Sequence, residues 1–149
     1  RLPGYGEDPL RKKAMLLSFI LIARPEEFLG PPPARDEESF GPVVDYHVMR
    51  TALRTGLVRI ENEALRDKIL ARAALAPAEE AAVRAAVFEA MRDLARSSGA
   101  SHAALDALFF AARRRCPEAE PPDCPICPLE AACAKDKELF QPVRETTFY

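Results

Sequence analysis

Hydrophobic residues recur at helical spacing along most of the chain, and no segment shows the strict alternation of a β-strand. The clearest stripe consists of Val83, Ala86, Val87, Ala90, Met91 and Leu94. A second stripe consists of Leu105, Leu108, Phe109 and Ala112. Both patterns place apolar side chains on one face of a helix, so the sequence predicts an all-α fold.

The first predicted helix begins at Asp8-Pro9, a capping carboxylate followed by proline in the first turn, and ends at Arg24-Pro25. It is apolar on nearly all sides after Lys13, so we expect it in the middle of the fold. Its apolar stretch, residues 14–23, is about half of the roughly 20 residues that a membrane span needs. A buried helix is therefore predicted, and no membrane partner.

Capping signals predict four more helices. Asp45 caps a helix over Tyr46–Thr55 that Gly56 ends, and Ser101 caps the last helix. The other two are predicted over about 61–74 and from Pro77 to the Ser97-Ser98-Gly99 stop. Residues 25–42 hold five prolines and a cluster of acids, which indicates a surface loop.

The length of 149 residues, 48% of them hydrophobic, is typical of one globular domain. A net charge of −2 excludes a binder of nucleic acid that is basic over its whole surface, but it allows a local basic face. Residues of that face would be Arg11, Lys12, Lys13, Arg50, Arg54 and Arg113, Arg114 and Arg115. Because the chain opens on Arg1 and not on methionine, we expect that an amino-terminal part is missing from the helical domain 1–115.

Four cysteines, at positions 116, 124, 127 and 133, lie within eighteen residues. Their spacing, C-x7-C-x2-C-x5-C, allows the thiolates to converge on one centre, and thiolates alone suit zinc or an iron-sulfur cluster. One C-x-x-C turn, where zinc ribbons usually show two, favours a 4Fe-4S cluster over Zn, and two disulfides are the remaining alternative. Free thiols of this kind predict a cytoplasmic, reducing location. A carboxy-terminal tail, 134–149, follows the loop 116–133.

The last helix, its arginine-rich end and the loop of Cys116, Cys124, Cys127 and Cys133 resemble the iron-sulfur loop of the endonuclease III and adenine glycosylase branch of the helix-hairpin-helix DNA glycosylases. The gaps of two and five residues match that family, while the first gap is one residue longer. The resemblance implies a helix-hairpin-helix glycosylase-like fold and DNA as the partner of a monomer. It also implies that Arg113, Arg114 and Arg115 contact phosphates.

Leu2-Pro3-Gly4-Tyr5-Gly6 is similar to the hairpin turn of that family. Glycines at Gly4 and Gly6 let the backbone approach a phosphate, and the amide groups of such a turn bind it without reading a base. The resemblance therefore implies that the hairpin is part of a DNA-binding surface. Taken alone, a pair of glycines is more typical of an ordinary turn.

The segment from Pro42 to Arg50 resembles the family's segment around its catalytic aspartate, which corresponds to Asp45. A carboxylate at a helix N-cap is stabilised by the helix dipole and by amide donors. It can stabilise an oxocarbenium-like sugar or activate a nucleophile. The alternative is that Asp45 only caps the helix. Tyr46 replaces the usual threonine, and His47 keeps its family position without a predicted chemical role.

Bifunctional members of the family carry a lysine just after the hairpin, which forms a Schiff base with an abasic sugar. The corresponding residue here is Asp8, and Lys12 and Lys13 follow one turn later. They are candidates for that nucleophile and for phosphate contacts, so lyase activity is not implied.

Three hypotheses follow from the sequence. The first is a base-excision-repair DNA glycosylase that uses Asp45. The second is a non-catalytic module of the same fold that binds nucleic acid. The third is a zinc-stapled helical domain that binds another protein.

Overall fold

The computed structural model describes residues 4–26, 40–118, 120–139 and 146–149. These residues form helices and connecting turns, with no β-strand among them, so the all-α prediction is confirmed for the described part of the chain. The α-helices are α1 (Lys12–Ile22), α2 (Tyr46–Thr55), α3 (Glu63–Leu70), α4 (Pro77–Ser98) and α5 (His102–Ala112). Single 3-10 turns follow at Cys124–Ile126 and Glu130–Ala132.

Local capping signals set most helix ends as predicted. The Ser101 hydroxyl accepts a hydrogen bond from the amide of Ala104 at 3.2 Å, which starts α5. Gly99 ends α4 with a φ of +70°, a conformation that glycine adopts without strain. The third helix is shorter than predicted, because Asn62 caps it and Arg72 leaves the helical conformation with a φ of +55°.

The hydrophobic core lies between α2, α4 and α5, with α2 at its centre. Every residue of α2 from Val48 to Arg54 is buried. The largest apolar side chains packed in this core are Val44, Met49, Leu53, Ile69, Val87, Met91, Leu105 and Phe109. Complete burial of one such side chain stabilises the fold by about 1.5–3 kcal/mol, so this cluster is a major source of stability for the described part of the chain.

The prediction that the first helix lies in the middle of the fold is wrong. No residue of α1 is buried, and Leu17 and Ile20 expose 43% and 48% of their surface. The central position belongs to α2, whose arginines donate hydrogen bonds to carbonyl groups of the cysteine segment. The apolar helix α1 is therefore less buried than α2, because the arginines of α2 have hydrogen-bond partners inside the fold.

The predicted start of the first helix is also wrong. α1 begins at Lys12, four residues after Asp8, and Arg11 precedes it with a left-handed φ of +52°. The Asp8 carboxylate still accepts hydrogen bonds from the amides of Leu10 and Lys12, at 3.0 and 2.8 Å. It does so from a turn before the helix, because a partner on α4 holds it there.

The predicted surface loop at residues 25–42 falls mostly outside the described residues, which omit 27–39. Pro25 is exposed and Pro42 is buried at the two described ends. Among the described helices, none combines the length and the apolar character that crossing a membrane requires.

Candidate functional site

Asp45 and Lys12 lie together at the starts of two helices. The Asp45 Oδ1 atom accepts hydrogen bonds from the amides of His47 and Val48, at 2.9 and 3.1 Å, and so caps α2. Its Oδ2 atom lies 3.7 Å from Lys12 Nζ, and the two side chains expose 20% and 14% of their surface. One carboxylate oxygen is thus held by the backbone, while the other faces an amine at the edge of solvent.

A buried ion pair joins the two segments that carry this lysine and this aspartate. Arg84 of α4 donates two hydrogen bonds to the Asp8 carboxylate, at 2.6 and 2.8 Å, and its Nε donates to the carbonyl of Val44 at 3.1 Å. Asp8 contacts the first amide of α1, and Val44 precedes Asp45. The guanidinium group therefore sets the start of α1 against the start of α2.

A second carboxylate, Asp106 of α5, interacts with the same pair. Burial raises the pKa of Asp106, the negative charge of Asp45 raises it further, and Lys12 lowers it. This combination is typical of a place where two carboxylates share one partly buried neighbourhood. Asp106 has no local sequence signal, because the packing of α5 against α2 creates its surroundings.

His47 follows Asp45 by two residues and lies between basic groups. Its Nδ1 atom is 3.1 Å from Arg50 Nη2, and its Nε2 atom is 3.4 Å from Arg113 Nη1. Burial lowers the pKa of His47, and the two arginines lower it further against the opposite effect of Asp45 and Glu118. A neutral imidazole that accepts a hydrogen bond from an arginine fits this environment.

The two glycines of the amino-terminal turn, Gly4 and Gly6, differ in their surroundings. Gly4 is buried with a φ of +78°, and a Cβ atom there would lie 2.5 Å from the carbonyl oxygen of Thr147. The same carbonyl accepts a hydrogen bond from Lys13 Nζ at 2.6 Å. Gly6 is exposed, and a Cβ atom on it would meet no atom within 4 Å. Lys13 is therefore engaged with the segment 146–149, whereas Lys12 faces Asp45.

The four cysteines face a common cavity. Their side chains line an empty space of about 370 Å³, part of it open to solvent, between α2, the end of α5 and the loop. Cys116, Cys124, Cys127 and Cys133 are all free thiols, so the alternative of two disulfides receives no support. Among the described residues, no three histidine, cysteine or acidic side chains are arranged to hold a single metal ion.

The cysteine loop is anchored to the carboxyl end of α2. The last carbonyls of that helix, on Arg54 and Thr55, accept hydrogen bonds from the amides of Asp136 and Ala134, at 3.0 and 3.1 Å. Gly56 follows with a φ of +76°, and its missing side chain leaves room for Ala134. These bonds satisfy helix-end carbonyls that would otherwise need water, so the loop completes α2.

Arg50 and Arg54 are not part of a surface basic face, contrary to the prediction. They expose only 1% and 3% of their surface. Arg50 donates to the carbonyl of Cys116 at 3.2 Å and to the Glu118 carboxylate at 2.9 Å. Arg54 donates to the carbonyl groups of Leu139 and Pro117, both at 3.0 Å. Both arginines therefore hold the cysteine segment against α2.

Arg54 also contacts a thiol directly, since its Nη1 atom lies 3.2 Å from Cys116 Sγ. The amide of Lys135 donates to another thiol of the cavity, Cys133 Sγ, at 3.3 Å. Burial raises the pKa of Cys133, the amide of Lys135 lowers it, and the three other cysteines raise it again. The thiols are thus close enough to influence one another, and they have polar groups that would stabilise thiolates.

The three arginines after α5 have separate environments. Arg113 lies over the ring of Phe110, 4.1 Å from its centroid, and reaches His47. Arg114 is exposed, and Arg115 Nη1 lies 3.9 Å from Asp123 Oδ2. Arg114 and Arg115 remain accessible to an anionic partner.

No protein-family model, curated protein or solved structure shows a significant match to this chain.

Proposed function

We propose that this chain is an iron-sulfur DNA glycosylase of the helix-hairpin-helix kind, which cleaves the N-glycosidic bond of a damaged or mispaired base. The observation that carries the proposal is the pairing of Lys12 Nζ with Asp45 Oδ2 at 3.7 Å. Sequence alone named both residues as candidates, from two segments more than thirty positions apart.

The Asp45 carboxylate would act on the sugar through its Oδ2 atom, because Oδ1 is occupied by two backbone amides. In hydrolysis the C1′–N bond breaks, its electron pair leaves with the base, and positive charge develops on the sugar. A fixed carboxylate stabilises that charge. Water then adds to C1′ and gives up a proton, and the departed base gains one.

Lys12 is the better candidate of the two lysines for attack on an abasic sugar, because Lys13 donates to Thr147. An amine must lose a proton before it attacks a carbon atom, and the Asp45 carboxylate is an adjacent base. Lyase activity, if present, is therefore expected to depend on Lys12 and not on Lys13.

The chemistry of the cysteine site fits a 4Fe-4S cluster better than one zinc ion. A single Zn²⁺ needs all four sulfur atoms within about 2.3 Å of one point. In a cluster each thiolate binds a different iron atom, so the sulfur atoms surround a larger body. The four thiols line one cavity and so offer the ligands that either group needs, and the single C-x-x-C turn favours the cluster. When bound, the cluster would supply a cross-link between α5 and the loop.

DNA is the partner that the accessible basic groups suit. Arg114 and Arg115 are exposed, and Lys12 lies beside Asp45 at the edge of solvent. A chain with a net charge of −2 needs such local contacts for backbone binding. Gly6 is open to a phosphate, while Gly4 is covered by Thr147.

The test is an assay on duplex oligonucleotides that carry uracil, 8-oxoguanine, an oxidised pyrimidine or a mismatch, each followed by alkaline cleavage. We expect strand cleavage with at least one substrate and a loss of about 100-fold or more in Asp45→Asn. Asparagine is also a good N-cap, so this variant keeps α2. The matched control is Asp67→Asn, an exposed aspartate on α3.

Full activity of Asp45→Asn would overturn the catalytic assignment. Duplex binding without cleavage of any substrate would favour the non-catalytic module. Cleavage without alkali that disappears in Lys12→Met but persists in Lys13→Met would add the lyase step.

A further inference from the structure

A groove beside the end of α5 combines an exposed aromatic ring with guanidinium groups. Phe110, Ala111, Arg114, Arg115 and Pro128 line it, and its empty space is about 770 Å³, including space open to solvent. Neither the candidate active site nor the cysteine cavity shares Phe110, Ala111 or Pro128. Arg115 lines both the groove and the cysteine cavity, so the groove borders that cavity.

Phe110 is not needed by the core. It exposes 51% of its surface, whereas the preceding Phe109 exposes 4% and packs against α2 and α4. The guanidinium group of Arg113 covers one face of the Phe110 ring at 4.1 Å from the centroid. The rest of the ring is available to a planar partner, which could extend the stack of cation and ring.

The charge of the groove is positive. Arg114 forms no ion pair among the described residues, and the pair of Arg115 with Asp123 is long, at 3.9 Å, between side chains about half exposed. No acidic side chain of the described residues lines the groove. The negative pole of α5 amounts to about half an elementary charge, which is small beside three guanidinium groups.

We propose that this groove binds single-stranded nucleic acid, with an unpaired base stacked on Phe110 and the flanking phosphates bound by Arg114 and Arg115. Aromatic stacking combined with basic groups is the general means of binding single strands without reading their sequence. An intact duplex would use the arginines alone, since its bases are already stacked.

Arg113 connects the groove to the Asp45 neighbourhood. Arg113 contacts Phe110 on one side and His47 on the other, and His47 follows Asp45 by two residues. A strand that leaves Phe110 past Arg113 would therefore reach the candidate active site. This binding goes beyond the proposed function and requires no glycosylase chemistry.

The test uses tryptophan fluorescence, because the chain contains no tryptophan. The Phe110→Trp variant carries a single reporter, and titration with an oligothymidylate single strand should quench it strongly and saturably. The matched control is Leu108→Trp, also exposed on α5 but about 200° around the helix. It should be quenched far less at the same occupancy. A matched duplex should quench neither reporter strongly.

Binding of a labelled oligothymidylate, measured by anisotropy, gives an independent check. Phe110→Ala should weaken single-strand binding by about tenfold and change duplex binding by less than about twofold. Arg114→Glu should weaken single-strand binding and reduce its dependence on salt.

Absence of quenching in Phe110→Trp while single strands still bind, or equal quenching by polyglutamate, would overturn the proposal. The second result would assign the groove to an acidic protein partner. Glycosylase activity in a protein whose single-strand binding is unchanged by Phe110→Ala would overturn the groove and leave the proposed function standing. Quenching without base excision would support the groove and overturn the proposed function.

Discussion

The neighbourhood of Asp45 and the cysteine loop are ordered in different ways. Around Asp45, side chains fix one another: Arg84 holds Asp8 with two hydrogen bonds, and Asp45 caps α2. In the loop, short turns such as Cys127 N to Cys124 O at 3.0 Å hold the backbone, and the loop is fastened to α2 from outside. The thiols themselves face an open space.

The two regions are therefore expected to have different sources of stability. The Asp45 neighbourhood depends on buried charges, so it should respond to charge substitutions and to acid. The interior of the loop holds few bonds within itself, so its order should depend on whatever the four thiols bind. Substitutions at Cys127, Arg84, Asp8 and Asp106 test this contrast, in order of decreasing expected effect.

The largest effect is expected from Cys127→Ser. If the four thiolates hold a 4Fe-4S cluster, loss of one should reduce bound iron from about four atoms per chain to nearly none and abolish the broad visible absorption. Helix content should change little, because Cys127 contributes nothing to the core between α2, α4 and α5. Iron analysis and far-ultraviolet circular dichroism measure the two quantities.

Ala131→Ser is the matched control, since it adds a hydroxyl at an exposed position of the same loop. It should keep the iron. A colourless wild-type protein with one zinc ion per chain would contradict the cluster.

Arg84→Met should lower the free energy of unfolding by about 3–5 kcal/mol, because it leaves the Asp8 carboxylate buried without its partner. The Asp8 and Arg84 side chains expose 0% and 4% of their surface, so water cannot replace the lost bonds. Denaturation by urea measures the loss. The double variant Asp8→Leu with Arg84→Met should recover about half of it, since no unpaired charge remains.

Arg92→Met is the control for the ion pair, because Arg92 pairs with Glu89 on the exposed side of α4. Its effect should be about 0.5 kcal/mol or less. Equal effects of Arg84→Met and Arg92→Met would show that the buried pair does not stabilise the Asp45 neighbourhood.

Acid should remove the contribution of Asp8. Burial alone would raise the pKa of Asp8, but the hydrogen bonds from Arg84, Lys12 and Leu10 together bring it below its ordinary value of 3.8. A lowered folded-state pKa stabilises the fold above the unfolded-state pKa, and this contribution is lost as the pH falls through the folded-state pKa.

The difference in unfolding free energy between the wild type and Asp8→Asn should therefore be constant from about pH 7 to 5 and narrow below about pH 4. Urea denaturation at a series of pH values measures it. A difference that widens in acid would contradict the assigned shift.

Local signals predicted much of the fold. Asp45, Ser101 and Gly99 act through their own neighbours in the chain, and each ends or begins a helix as expected. The predicted start of α1 was wrong because Asp8 is held by Arg84, seventy-six positions away. The predicted exposure of Arg54 was wrong because its partners come from Pro117 of the cysteine loop and Leu139 of the tail.

The candidate site was predictable to the same extent. Asp45 and the four cysteines belong to recognisable segments, but the choice of Lys12 over Lys13 required the position of Thr147. Arg50 was assigned to the surface because nothing in its local sequence indicates Glu118 as a partner. Asp106 carries no sequence signal, since α5 brings it to Asp45 only after packing.

The smallest expected effect concerns Asp106. It tests whether an ionised carboxylate at the candidate site lowers the stability of the fold. Burial and the charge of Asp45 raise its pKa, so the ionised carboxylate destabilises the folded state at neutral pH. Asp106→Asn should raise the free energy of unfolding by about 0.5 kcal/mol at pH 7, and the gain should vanish below the unfolded-state pKa, where both states are protonated. Asp67→Asn, an exposed change on α3, should give no such gain. If Asp106→Asn instead destabilises the protein at pH 7, favourable bonds hold the Asp106 carboxylate, and its repulsion by Asp45 does not lower the stability of the fold.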